Sequence, residues 1–321
     1  MPVVLQYVFA SVEEELGTVM QLIRASVPKD GYLYKVCAPL VEKPGKGIRP
    51  GLFLLSAQLV SSGGNVSRFI PVATALELVH WASLLHDDVI DEATTRRGIP
   101  TVNSIYSPTT AILVGDFFFS RALYFLNDYG NGVLETFAKL LLDLVSGQVA
   151  EQMERGQYRL TEATYLQLIG DKTARFLATA CSLGTKLAGA SGDIVASAEE
   201  YGYCLGMVYQ LRDDLLDITG SDGVLGKETG IDMAMGIETL PSIRARALLP
   251  QEYRQAIVAV VEDGCHAPLR GLLWECGALE YTEDLIRYYA DRGEDSLERL
   301  PEGDIRDRLK LLLRYVVLRE C

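Results

Sequence analysis

Ten segments of the chain repeat their apolar residues at i, i+3, i+4 and i+7 with almost no internal proline: 4–26, 50–62, 68–92, 109–127, 131–157, 162–189, 193–218, 251–264, 281–299 and 303–319. That period belongs to helices, because residues three and four apart lie one above the other on one face. No stretch makes a convincing strand ladder with its two-residue period. Several segments are apolar on more than one face, which suits helices packed on several sides by other helices. The sequence therefore predicts an all-α fold, a single domain over residues 1–321 built of about ten helices.

The breaks carry turn chemistry: Val27-Pro28-Lys29-Asp30-Gly31, Lys43-Pro44-Gly45-Lys46-Gly47, Ser61-Ser62-Gly63-Gly64-Asn65, Arg97-Gly98-Ile99-Pro100, and Gly220 to Gly236, which has five glycines in seventeen residues. A loop of that length inside a compact domain is usually functional. With 49% hydrophobic and 23% charged residues the chain is neither disordered nor a small disulfide scaffold. Forty-three acidic against thirty basic residues leave a net charge of −13, the wrong sign for capturing a nucleic-acid backbone. Six cysteines at 37, 181, 204, 265, 276 and 321 show no CxxC pair and read as reduced thiols, so a cytoplasmic protein is expected. The N-terminus MPVVLQYVFASVEEEL lacks a basic n-region, and the apolar run AILVGDFFFSRALYFL is interrupted by Asp116 and Arg121. Neither a signal peptide nor a membrane span is expected.

Two acidic clusters stand out. His86-Asp87-Asp88-Val89-Ile90-Asp91 ends the apolar segment 68–92, and Gln210-Leu211-Arg212-Asp213-Asp214-Leu215-Leu216-Asp217 ends the segment 193–218. On a helix Asp87 and Asp91 lie one turn apart on one face, so both carboxylates can reach one hard cation or two neighbouring ones. Asp is a mediocre helix former, and three in five positions repel each other. One DDxxD is commonly just a solvated helix end. Two copies, 126 positions apart and each ending an apolar helix, point instead to divalent cations, about three for six carboxylates. Mg²⁺ is the natural candidate, since it shares oxygen ligands with phosphates.

Cations that a diphosphate needs lie beside these clusters: Arg96 and Arg97 after the first, Lys46 and Arg49 in a Gly/Pro turn, Lys172, and Lys227 in the Gly-rich loop after the second. Any one Lys or Arg is ordinarily a surface charge, so position carries the argument. His80 lies seven residues before Asp87, two turns back on its face, where it is either a satisfied core histidine or a donor to a phosphate oxygen.

Taken in order, these pieces resemble the trans-polyprenyl diphosphate synthases. They run through Gly45-Lys46 with Arg49-Pro50, Glu77 to His80, Leu85 to Asp91, Arg96 to Pro100, Gly115-Asp116, Lys172-Thr173, Gln210 to Asp217, Leu225-Gly226-Lys227, Thr239-Leu240-Pro241 and Leu300-Pro301. The resemblance implies an antiparallel bundle of long helices around a deep apolar cavity, with the two acidic motifs facing across its mouth. It implies Asp87, Asp91 and Asp213 as Mg²⁺ ligands, with Asp88, Asp214 and Asp217 holding waters or orienting the ligands. Arg96, Lys172, Thr173, Gln210 and Lys227 would meet an allylic diphosphate, and Lys46, Arg49, His80 and Arg97 would hold isopentenyl diphosphate. Most of the family works as homodimers; a catalytic half of a heterodimer is the other arrangement. Two basic positions of the family differ here, Gly47 and Ile237, and Arg212 stands where an apolar residue is common.

The chemistry suits these residue types. Breaking the allylic C–O bond loads charge onto the departing diphosphate, which Mg²⁺, Lys and Arg stabilise as it develops. The allylic cation must be kept from water, and an apolar shaft between helices does that. In this family the residues one to two turns before the first DDxxD line the shaft. Ala82 and Ser83 are small there, Val79 is no obvious plug, and Phe117 and Phe118 are candidates for a deeper floor. A medium or long chain is expected, with a geranylgeranyl product as the alternative. An HD-type metal phosphohydrolase would use His86-Asp87 but needs more histidines than His80 and His266 supply. A non-catalytic subunit would have lost the acidic motifs, and a terpene cyclase would lack the isopentenyl diphosphate residues.

Overall fold

The computed structural model describes residues 2–319 except 43–44, 62–63, 97, 220–234 and 264–266. The chain is all-α. Its helices are α1 (Val3–Phe9), α2 (Glu13–Ser26), α3 (Gly31–Glu42), α4 (Ile48–Val60), α5 (Ile70–Ile90), α6 (Val102–Ile105), α7 (Pro108–Leu126), α8 (Gly130–Glu154), α9 (Glu162–Ile169), α10 (Arg175–Leu187) and α11 (Gly192–Thr219). After the second acidic motif come α12 (Leu240–Leu248), α13 (Pro250–Asp263), α14 (Ala267–Glu275), α15 (Ala278–Leu297) and α16 (Asp304–Val317). Helix α3, which carries Pro39 inside it, and the short helices α6, α12 and α14 lie outside the ten periodic segments; a proline argues against a helix interior, and few turns leave little period to read. Among the described residues the only strands are Thr95–Arg96 and Ile99–Pro100, which pair antiparallel around Gly98 at φ +72°. Two residues per strand are too short for an alternating pattern.

Segment 4–26 is broken by a tight turn at Ala10–Val12, and segment 162–189 by a π-helical turn at Gly170–Ala174. The chain divides into two compact units. One comprises the chain up to Ala138, Thr179–Ala198 and Leu300–Leu309; the other Lys139–Ala178, Glu199–Arg299 and the residues from Lys310.

In the first unit α5 is the central helix, packed by α7, α2 and α4. Phe53, Phe118, Leu52, Leu54, Leu55 and Leu76 are fully buried. Gly184 lets α10 approach α4, since a Cβ there would stand 2.3 Å from the Phe53 carbonyl oxygen. Residues Ser67–Ile90 and Pro108–Leu126 are long and apolar enough to cross a membrane, but so is the core helix of a folded domain, and the first is mostly buried. The second leaves Ile112, Leu113, Leu123 and Tyr124 exposed.

In the second unit Tyr201 and Phe176 are fully buried. An Arg292–Glu200 ion pair ties α15 to α11.

Candidate active site

The first acidic motif occupies the C-terminal turn of α5. Asp91 caps the helix, its N–H bonding the Asp87 carbonyl at 2.8 Å. The chain then turns back: Ala93 N–H bonds the Asp88 carbonyl at 2.9 Å, and the Asn103 amide donates to the carbonyls of Asp88 and Ala93 at 3.1 and 2.9 Å. Helix α6 thus holds the acidic end in place. Asp88 is 4% exposed and accepts from Arg96 Nε at 2.6 Å, whereas Asp87 and Asp91 are half-buried. Burial pushes the Asp88 carboxyl up, and the Arg96 guanidinium opposes that shift.

His86 donates from Nε2 to the Ile112 carbonyl at 3.1 Å, lies 3.7 Å from Asp116, and packs its ring on Phe119. A Cβ at Gly115 would come within 2.1 Å of that nitrogen, so the glycine admits the imidazole. These contacts give His86 the work of docking α5 on α7. Trp81 Nε1 donates to Glu77 Oε1 at 2.9 Å and its ring meets Phe118 edge-on at 5.8 Å. Val79 and Ala82 are fully buried, Ser83 is half-buried with its hydroxyl on the His80 carbonyl, and Phe117 packs against Phe118 at 5.4 Å. Lys46 is exposed, and Arg49 and His80 are half-buried. Arg97 and Lys227 lie outside the described residues.

The second motif ends α11. Asp214 is 4% exposed, and both of its oxygens are taken from within the unit, Oδ2 by the Tyr165 hydroxyl and Oδ1 by Gln210 Nε2 at 2.8 Å. Burial pushes its pKa up to about 6, against the pull of those two donors. Gln210 in turn accepts from the Thr173 hydroxyl at 2.9 Å, and Lys172 Nζ lies 2.9 and 3.0 Å from the Glu151 oxygens. Asp213 is directed elsewhere: its carboxylate binds Arg319, whose ring-facing side rests on Tyr209 at 4.6 Å and whose carbonyl accepts from Arg212 at 2.9 Å. The structure thus joins Thr173, Gln210 and Asp214 in one chain of hydrogen bonds and pairs the neighbouring Lys172 with Glu151. It also adds Glu151, Tyr165 and Arg319, which the sequence reading missed. Tyr165, two turns before Lys172, carried a readable spacing; Glu151 and Arg319 carried none.

Both motifs divide their carboxylates in one way. The second Asp of each is buried and hydrogen-bonded inward, while the first and fifth are not buried. Among the described residues no three acidic, His or Cys side chains form a ready-made metal cage. That donor chemistry fits Mg²⁺, which takes one or two carboxylates and fills its other positions with water and substrate phosphate. Near Glu151 on α8, the Gln148 side-chain amide and Gln152 Nε2 are buried with no hydrogen-bond partner among the described residues. Polar groups so placed suit a polar ligand.

The sequence model of the polyprenyl synthetase family matches residues 30–267. Over 318 residues the chain is 35% identical to heptaprenyl diphosphate synthase component 2 of Geobacillus stearothermophilus, covering 97% of this chain and 95% of that one. A decaprenyl diphosphate synthase structure from Rhodobacter capsulatus superposes with a TM-score of 0.89 at 34% identity, covering 98% of both chains. A polyprenyl synthase from Caulobacter crescentus CB15, complexed with calcium and isoprenyl diphosphate, gives a TM-score of 0.90 at 30% identity over 99% of this chain and 98% of that one.

Proposed function

The chain belongs to the polyprenyl synthetase family and is a trans-prenyltransferase acting on isoprenyl diphosphates, and from that premise we propose a site built on the two divided acidic motifs. Asp87, Asp91 and Asp213 hold Mg²⁺. Asp88, Asp214 and Asp217 orient the site. When bound, the metal neutralises charge on the allylic diphosphate as it leaves. The observation that supports this reading is the inward burial of Asp88 and Asp214, beside which the first and fifth carboxylates of each motif remain partly exposed.

The chain's own residues do the rest. Lys172, fixed by Glu151, and Gln210, fixed by Thr173, are placed to meet the allylic diphosphate together with Arg96 and Lys227. Lys46, Arg49, His80 and Arg97 hold isopentenyl diphosphate, whose double bond attacks the allylic carbon; the proton then lost goes to the diphosphate just released. Ala82, Ser83 and Val79 line the path of the growing chain, with Phe117 and Phe118 nearer its floor. The whole chain acts as one synthase domain that makes a medium- or long-chain product, in keeping with the heptaprenyl and decaprenyl synthases it resembles. It works as a homodimer: the stripe Leu142, Val145, Val149 and Met153 on α8 is exposed and apolar, more than a lone surface helix tolerates.

The test is incubation with Mg²⁺, labelled isopentenyl diphosphate and, separately, dimethylallyl, geranyl or farnesyl diphosphate, followed by separation of the dephosphorylated products by length. Products of seven or more isoprene units are expected, as is near-complete loss of turnover in Asp87→Ala and Asp213→Ala with the fold retained. No incorporation with any starter overturns the assignment; a product of four units overturns the chain length alone.

A further inference from the structure

We infer that Asp171 is a positioning residue for the allylic diphosphate site: its carboxylate staples the π-helical turn that aims Lys172 and Thr173. The inference rests on the proposed role of Lys172.

The turn is Gly170–Ala174, closed by the Arg175 N–H on the Gly170 carbonyl, an i→i+5 bond. Single π turns inside α-helices are rare and less favourable than the α form, and they collect at functional sites. Something must therefore hold this one open. Asp171 reaches both ways along the helix, accepting from Gln167 Nε2 at 2.9 and 2.8 Å on the preceding turn and from Arg175 Nε at 2.6 Å on the following one. From within the widened turn the carboxylate thus ties Gln167, three residues before the turn begins, to Arg175, the first residue after it. Burial of the surrounding backbone leaves the turn little room to relax. A Cβ at Gly147 of α8 would lie 3.0 Å from the Lys172 nitrogen, and one at Gly206 of α11 would lie 2.4 Å from the Ala174 Cα. Both neighbouring helices meet the turn at glycines.

The consequence falls on the next two residues. In a regular α-helix, consecutive side chains diverge by about 100°. Across the wider turn they diverge less, and here Lys172 reaches Glu151 while Thr173 reaches Gln210. Gln210 passes the constraint to Asp214 in the second acidic motif. Without the Asp171 bridge, the turn loses its side-chain anchor, and even the small shift that the close packing allows turns Lys172 off its bearing. Asp171 itself need not touch substrate.

The experiment compares Asp171→Ala, Lys172→Gln and the double variant, with KM measured separately for both substrates and melting followed in parallel. Lys172→Gln is expected to raise the allylic KM. Asp171→Ala should raise it about tenfold or more, as small misplacements of positioning groups do, while the isopentenyl diphosphate KM stays within about twofold. The double variant should fall short of the sum of the two penalties, because Asp171 acts in part through Lys172. Should Asp171→Ala fail to fold, Gln167→Leu cuts only one arm of the staple and should give the same selective, non-additive rise. Additive penalties, equal effects on both substrates, or an unchanged allylic KM in the Asp171 and Gln167 variants overturn the inference. If Lys172→Gln alone leaves the allylic KM unchanged, the proposed role of Lys172 has failed instead.

Discussion

Replacing Arg96 with Met tests whether the end of α5 is held by its buried ion pair. Asp88 is 4% exposed and its carboxylate accepts from Arg96 Nε at 2.6 Å, so Arg96→Met leaves a carboxylate that water barely reaches. Breaking a fully buried pair costs about 3–5 kcal/mol. Here the Arg96 side chain is 36% exposed, which screens the pair; the value of a charged hydrogen bond, about 2 kcal/mol, is then the better expectation. Asp88→Asn keeps an acceptor oxygen for Arg96 and should cost about 1 kcal/mol. The double variant buries no lone charge, so the cycle should show a coupling of about 1–2 kcal/mol. Urea unfolding with an unchanged slope measures each corner. A loss below about 0.5 kcal/mol in Arg96→Met, the usual scale of surface changes, refutes the reasoning, as does a double variant as unstable as the two losses summed. The same proteins separate the two duties of Arg96: a diphosphate contact raises the allylic KM in Arg96→Met and in the double variant alike, whereas the ion pair acts on stability.

Two further outcomes follow from the geometry. Arg319, 8% exposed, places a tethered cation on Asp213, so Arg319→Gln should tighten Mn²⁺ binding by about threefold in a spectroscopic titration without substrate, in line with a modest charge pair; unchanged affinity means the contact does not compete with metal. Burial pushes the thiols of Cys37, Cys181 and Cys204 up to about 12, so iodoacetamide at pH 8 should leave all three unmodified in the native protein and label them only in denaturant. Mass spectrometry of the labelled peptides reads the result.

Much of this site was legible because its chemistry is written in short spacings. DDxxD places two carboxylates one helical turn apart, and that follows from sequence alone. The long helices were legible for the same reason: α5 and α11 keep an apolar period over many turns. What stayed hidden depends on partners distant in the chain. Nothing in Asp88 or Asp214 by itself says that the middle carboxylate turns inward; that needs Arg96 eight residues on and Tyr165 forty-nine residues back. Arg319 meets Asp213 across 106 positions. The π turn is likewise invisible, since Gly170 to Ala174 fits the apolar period of segment 162–189 and only the Arg175 N–H on the Gly170 carbonyl, an i→i+5 bond, betrays the extra residue. Trp81 could point either way by period, and its bond to Glu77 and edge contact with Phe118 fix it toward α7.

The two basic positions that differ from the family are best understood through what the substituting residues do. Gly47 begins α4 at φ +63°, a left-handed backbone in which a long side chain is strained. Its carbonyl takes the Gly51 N–H at 2.9 Å, so the glycine fixes the start of the helix that carries Arg49. Beside Ile237 stands Glu238, 6% exposed, which accepts from the Leu160 N–H at 2.9 Å and from Arg246 at 2.8 Å. Arg155 adds a bond to the Met235 carbonyl at 2.8 Å, and Gly156 N–H another to that of Gly236 at 2.8 Å. The segment 235–239 is therefore bound to the segment 155–160 by a buried acid, two arginines and the backbone. The polar groups of residues 235–239 are thus spent on holding this segment against 155–160. On the proposed allylic site, Ile237→Lys is expected to lower the allylic diphosphate KM before it changes kcat, and equal KM values in the variant and the parent protein would mean that position 237 does not reach the diphosphate.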